Sequence, residues 1–217
     1  MEIILPETEL FEGIDEAGRR ALLDCLGAVA AEYRKGEPIL TEGSVTRALG
    51  LVLSGLVLIT HADAWGSESV LGHAGPGSVF AEAYACIPGE PLLIRVTAAE
   101  DTRVLFIDAG RLLEPCAAAC GRHKRAVQNL LGICARKSLQ LSRKILHTGP
   151  KTIRGRLMSY FSDCAGQAGG SSFTLPYRRQ QLADYLGVDR SALCAELSKM
   201  RRDGLIEYEK NRVTLKI

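Results

Sequence analysis

The stretch that decides the fold runs from residue 178 to residue 206: Arg178-Arg-Gln-Gln-Leu-Ala-Asp-Tyr-Leu-Gly-Val-Asp-Arg-Ser-Ala-Leu-Cys-Ala-Glu-Leu-Ser-Lys-Met-Arg-Arg-Asp-Gly-Leu-Ile. Leu182, Ala183 and Leu186 share the inner face of a first helix. Gly187 permits a tight turn and Val188 fills the corner behind it. Asp189 is placed to cap a second helix whose inner face is Leu193, Leu197 and Met200. Small Ala183 lets the two helices cross closely, and Gly204 stops the second. Leu205-Ile-Glu-Tyr-Glu and Val213-Thr-Leu, around a polar Lys210-Asn-Arg turn, then read as a two-stranded wing. The pattern predicts a winged helix-turn-helix.

A helix laid N-terminus first in a major groove shows its first residues to base edges and its later cations to phosphates. Arg190 and Ser191 are therefore the base-reading candidates, with Cys194 and Ala195 the next outward positions. Arg178, Arg179, Lys199, Arg201, Arg202, Lys210 and Arg212 suit phosphate contacts, and Gln181 and Asp189 belong to the same surface. Charge supports a polyanionic partner. The 217 residues carry a net +2, but residues 1–120 hold 8 Lys/Arg and 18 Asp/Glu, a balance of −10, and residues 121–217 hold 19 and 7, a balance of +12. An acidic half and a basic half of this kind suit a sensing part joined to a nucleic-acid-binding part.

Working back from the decisive stretch, Thr152 to Cys164 forms an amphipathic helix with Ile153, Leu157 and Phe161 on one face, and Phe173-Thr-Leu-Pro begins a strand that the proline ends. Gly149-Pro150 marks a boundary. From Ala109 to about His147 the pattern is helical, with Val127, Leu131, Cys134, Ser138, Leu141 and Ile145 spaced 4, 3, 4, 3, 4. That spacing is a coiled-coil seam and predicts a second copy of the chain against it. Between Ala28 and Asp108, short apolar runs alternate with glycine-bearing turns, which predicts an antiparallel sandwich or barrel. Residues 10–26 read as a short amphipathic helix behind a turn.

The β-rich front, the long helix and the winged end resemble the Crp/Fnr family of bacterial transcription factors over essentially the whole chain. The marks are the helix-turn-helix run, Lys35-Gly36-Glu37 followed by Glu42-Gly43, Leu53-Ser54-Gly55, and Phe80-Ala81-Glu82. The resemblance implies an α+β fold. Residues 1–108 would form a cyclic-nucleotide-binding-like antiparallel β-roll (a double-stranded β-helix, jelly-roll-like), residues 109–148 a dimerisation helix, and residues 149–217 the DNA-binding domain. It also implies a homodimer on a palindromic double-stranded DNA site, RNA polymerase as a partner, and an effector in the roll that reorients the reading helices. Related sequences carry Arg where this chain has Ala195, so the operator preference is open.

In members that bind cyclic AMP, a Gly-Glu pair grips the ribose and an Arg-Ser pair about ten residues on holds the phosphate. Here the first pair is Ala81-Glu82, and Leu92-Leu93 stand where Arg-Ser would be. Two leucines cannot neutralise a phosphate. Arg95 would face away from Leu92 on a regular strand. Cyclic AMP is therefore not expected as the effector; a less polar ligand, with Ser138 of the long helix touching it, is the alternative. A lone Cys25 near the N-terminus argues against an iron–sulfur cluster.

Seven scattered cysteines, an acidic start that reaches proline at once, and no long apolar run predict a cytoplasmic protein without a signal peptide or membrane span. No metal site is assigned, although Cys116, Cys120 and His123 share a helical face and carry zinc- or iron-compatible donors. Small core residues opening the seam explain them equally well. A cysteine- or metal-based redox or haem sensor with an unused pocket is the second reading. A cupin-like metal enzyme is disfavoured because the four histidines are dispersed, and no nucleophile, phosphate-loop or dinucleotide motif supports an enzyme.

Overall fold

The computed structural model describes residues 4–63, 65–66, 68–114 and 121–216. Contacts divide the chain into two compact units, Met1–Arg136 and Lys137–Ile217.

The first unit is built on two four-stranded antiparallel sheets. One has the order β1 (Val29–Tyr33), β8 (Thr102–Asp108), β3 (Ala48–Ser54), β6 (Val79–Phe80). The other has the order β2 (Pro38–Leu40), β7 (Arg95–Ala98), β4 (Val57–Ala62), β5 (Glu68–Ala74). Strand period explains how both faces of the first sheet are buried. On β8, Val104 joins Val52, Val57, Phe80 and Val96 in an inner cluster, and Tyr33 meets Phe106 edge-on at 6.5 Å in the same layer. The alternate residues Leu105 and Ile107 turn outward with Leu49, Leu51 and Leu53 of β3 into a second cluster.

Helices cover that outer face. Helix α1 (Glu16–Leu26) is capped by Asp15, whose carboxylate accepts from the Gly18 N–H, and adds Leu22, Leu23 and Leu26. A single 3-10 turn, Glu9–Phe11, and Gly13 at φ +74° precede it, so residues 10–26 hold a turn followed by a short amphipathic helix, as expected. The short α2 (Glu82–Ala85) follows β6, and α3 (Ala109–Leu113) follows β8.

The helix expected to run on from Ala109 ends at Glu114, which is extended (ψ 143°). Pro115 follows it, and a proline forces the preceding residue out of the helical region. Helix α4 spans Gly121–Thr148. Within the first unit, its His123, Ala126, Leu130 and Ile133 are buried against the outer cluster.

The second unit contains α5 (Ile153–Ala168), β9 (Ser172–Thr174), α6 (Arg179–Leu186), α7 (Arg190–Arg202), β10 (Ile206–Glu209) and β11 (Arg212–Leu215). The strands form an antiparallel sheet of order β10-β11-β9, so the wing has three strands rather than two. Leu157, Phe161, Phe173, Leu182, Leu186, Leu193, Leu197, Met200, Ile206 and Val213 make its core.

Candidate nucleic-acid interface

Helix α6 begins where the Gln181 side-chain oxygen accepts from the Arg178 N–H at 2.9 Å, and it ends at Gly187 in the left-handed region (φ 63°). That glycine makes the turn; a side chain there would be strained. Gln181, read as an interface residue, is thus occupied in capping. Asp189 then caps α7, accepting from the Ala192 N–H at 2.8 Å and from the Ser191 hydroxyl. These bonds hold the Asp189 carboxyl below the usual range, the hydroxyl bond contributing most. The carboxylate also complements the positive helix end.

With Leu193, Leu197 and Met200 buried, the outer side of α7 is settled by helical period. Arg190, Ser191, Ala195, Ser198, Lys199, Arg201 and Arg202 are exposed, and Cys194 is half-buried. Arg178, Lys210 and Arg212 are exposed as well. The wing turn places Lys210 at φ 52°, an unusual conformation for a residue with a side chain. Two cations expected on phosphates are partly engaged. Arg179 and Arg201 sit over the Tyr208 ring, 4.9 and 5.4 Å from its centroid, and Arg179 also approaches the Lys210 carbonyl at 3.4 Å.

Three residues that the sequence reading left out shape this surface. Arg154 on α5 donates to Glu196 and to Asp203, both belonging to α7 and its cap. Arg156 donates through Nη1 to the carbonyls of Leu186 and Gly187, at 2.8 and 3.1 Å, and through Nε to Pro150 at 3.0 Å. Tyr208 is the third. The available signal was an Arg-x-Arg pair near a helix start and a lone Glu196 inside a basic helix.

At the expected effector site, Ala81 adopts φ 57° and is buried, and Glu82 is 6% exposed at the start of α2. Leu92 is 1% exposed while Leu93 is 63% exposed, so the pair points to opposite sides. Residues 91–92 lie along 43–45: Leu92 exchanges backbone bonds with Gly43 and Ser44, and Val45 bridges Pro91. Arg95 stands 4.0 Å from Glu68, which also accepts from the buried Thr60 hydroxyl at 3.0 Å.

Along α4 the six seam positions divide. Val127 and Cys134 are half-buried against the protomer's own core, whereas Leu131, Ser138, Leu141 and Ile145 are exposed. Cys116 and Cys120 lie outside the described residues. His123 is buried, with Nε2 4.0 Å from the Cys25 sulfur. Among the described residues, no three His, Cys, Asp or Glu side chains gather as metal ligands. Burial pushes the Cys86 and Cys164 thiols up, which disfavours their thiolates. No helix among the described residues is long and apolar enough to cross a membrane.

Comparison with known proteins agrees with this layout. Residues 30–118 match the cyclic nucleotide-binding domain family, and residues 155–216 match the Crp-like helix-turn-helix domain family. The cyclic AMP receptor protein of Thermus thermophilus is 27% identical over 174 residues, covering 80% of this chain and 77% of the relative. Among solved structures, the Thermus thermophilus catabolite activator protein aligns with a TM-score of 0.54 at 24% identity, over 96% of this chain and 94% of its own. The c-di-GMP-responsive global regulator CLP of Xanthomonas campestris aligns with a TM-score of 0.57 at 20% identity, over 94% and 100%. Matches to both domains, in this order, show that the chain joins a cyclic nucleotide-binding domain to a Crp-like helix-turn-helix domain and is homologous to regulators of the Crp/Fnr family.

Proposed function

We propose that two copies of the chain join through the α4 seam and read a palindromic double-stranded DNA site, each placing α7 in a major groove. The carrying observation is the first turn of α7. Arg190 and Ser191 are exposed there, on a helix whose cap and buried face fix which side looks outward. In this reading they meet base edges, while Arg178, Lys199, Arg202, Lys210 and Arg212 meet phosphates. Leu131, Leu141 and Ile145 are 69%, 63% and 69% exposed, an apolar stripe that a second copy would cover.

Residues 1–108 act as the sensor, α4 (Gly121–Thr148) as the dimer helix and 149–217 as the DNA-binding domain. The role is regulatory rather than catalytic, exercised in the cytoplasm with RNA polymerase as a partner. The name of the Thermus relative attaches cyclic AMP to that protein. In this chain the phosphate-holding positions are a core leucine and an outward leucine, so the effector is a different and less polar molecule.

The test is selection of duplexes from a random library by the full chain, followed by titration at low and physiological salt. Enrichment of a palindrome bound with steep salt dependence supports the reading; no enrichment, or salt-insensitive binding, defeats it. Cyclic AMP added to the purified chain should leave its melting temperature unchanged.

A further inference from the structure

We propose that Arg154 is a positioning residue for sequence discrimination: it sets the angle and register at which α7 is presented, without itself reading a base. The inference rests on the reading of α7 as the DNA-reading helix.

The geometry is a fork gripping one helix at two levels. Arg154 Nε donates to Glu196 Oε1 at 2.6 Å, and Nη2 donates to Asp203 Oδ2 at 2.8 Å. Glu196 lies in the middle of α7 and Asp203 is its C-cap. Seven residues are two turns, so Glu196 and Asp203 stand on one side of the helix with their backbones about 10 Å apart along its axis, and both carboxylates converge on one guanidinium. A planar guanidinium bound to both resists rotation of α7 about its axis and sliding along it.

Apolar packing does not do this alone. Leu157 of α5 and Leu193, Leu197 and Met200 of α7 share one core, which sets how deeply α7 is seated. Burial of apolar surface is non-directional, whereas charge-assisted bonds from a fork are short and aligned. Glu196 is the more enclosed partner, with 18% of its side chain exposed. Arg156, two residues on, ties the carbonyls of Leu186 and Gly187 in the turn that feeds α7. The start of α5 therefore holds the reading helix both at its entry and along its flank.

A competing account is charge alone: Arg154 would cancel two carboxylates that otherwise repel phosphates. The two accounts separate because lysine keeps the charge and loses the fork. The full chain, as wild type, Arg154→Lys and Glu196→Gln, is titrated with a duplex selected by the wild type and with a random-sequence duplex of equal length. Positioning predicts that Arg154→Lys binds the random duplex within about twofold of wild type but loses about tenfold of its preference for the selected one. Glu196→Gln adds to the net positive charge, so charge alone predicts tighter binding to both duplexes, whereas positioning predicts the same loss of preference. It also serves as the second probe if Arg154→Lys folds poorly. Undiminished preference in both variants, or equal loss on both duplexes, overturns the proposal. If the wild type selects no sequence, the reading of α7 itself fails and takes this proposal with it.

Discussion

The Phe80 ring lies on Gly50. The two residues are cross-strand partners in β6 and β3, and any side chain at position 50 would overlap the ring. The Phe80 ring fills the inner layer of the roll with Val52, Val57, Val96 and Val104, one residue before the Ala81-Glu82 pair. Gly50 is thus a packing glycine. Gly50→Ala should destabilise the first unit by about 1–3 kcal/mol, the cost of overpacking a well-filled core. Calorimetry should show a lowered transition for that unit; an unchanged profile would mean that the ring moves aside freely.

Arg190→Ala should weaken binding to a selected duplex by about 1–3 kcal/mol, the scale of one good base contact, and relax the preference at one base position. Equal losses on selected and random duplexes would reassign Arg190 to a phosphate.

Leu141→Glu should shift the chain from dimer to monomer in sedimentation at micromolar concentration. Leu141 is already 63% exposed in the protomer, so the substitution removes no contact from the protomer's core. A dimer that persists would place the partner surface elsewhere.

His147 supplies a pH dependence. Its Nδ1 is 2.8 Å from the Tyr185 hydroxyl, its ring meets Tyr160 edge-on at 5.3 Å, and its Nε2 is 3.5 Å from Asp163. Burial lowers its pKa below the ordinary value and outweighs the opposing pull of Asp163, with Arg143 adding to the depression. The unfolded chain therefore takes up a proton as the pH is lowered through about 6.5, while the folded chain still resists. More protons bound to the unfolded state means that stability is full above that value and falls as pH drops below it. The melting temperature should fall more between about pH 7 and about pH 5.5 in the wild type than in His147→Gln. Parallel curves would remove His147 from that dependence.

Much of this was legible along the chain because its signals are local. The cap at Asp189, the turn at Gly187 and the buried triplet Leu193, Leu197 and Met200 lie within a dozen residues, and short-range rules read them directly. The short apolar runs between glycine turns that become the strands of the roll were visible as well. Pro115 was also a local signal, and reading through it extended the long helix too far toward the N-terminus. Other features join residues far apart in sequence. Arg154 and Glu196 are 42 residues apart, and a charged pair on two helices has no periodic signature. The approach of both Arg179 and Arg201 to the Tyr208 ring needs three elements to converge. The division of the seam, with Val127 and Cys134 turned toward the core and Leu131, Leu141 and Ile145 outward, depends on what the first half of α4 lies against.

The sequence by itself determined the order of elements, the winged helix-turn-helix, the residues on the outer face of α7 and the presence of the Leu92-Leu93 pair at the expected effector site. Capping, glycine turns and hydrophobic period act within one or two helical turns, so they survive without a partner. Tertiary structure alone decided which cations remain free on that surface, which leucine of the pair is buried, and what holds α7 at its angle. Those outcomes depend on side chains from separate elements meeting at hydrogen-bond distance, and chain folding, not local pattern, brings them there.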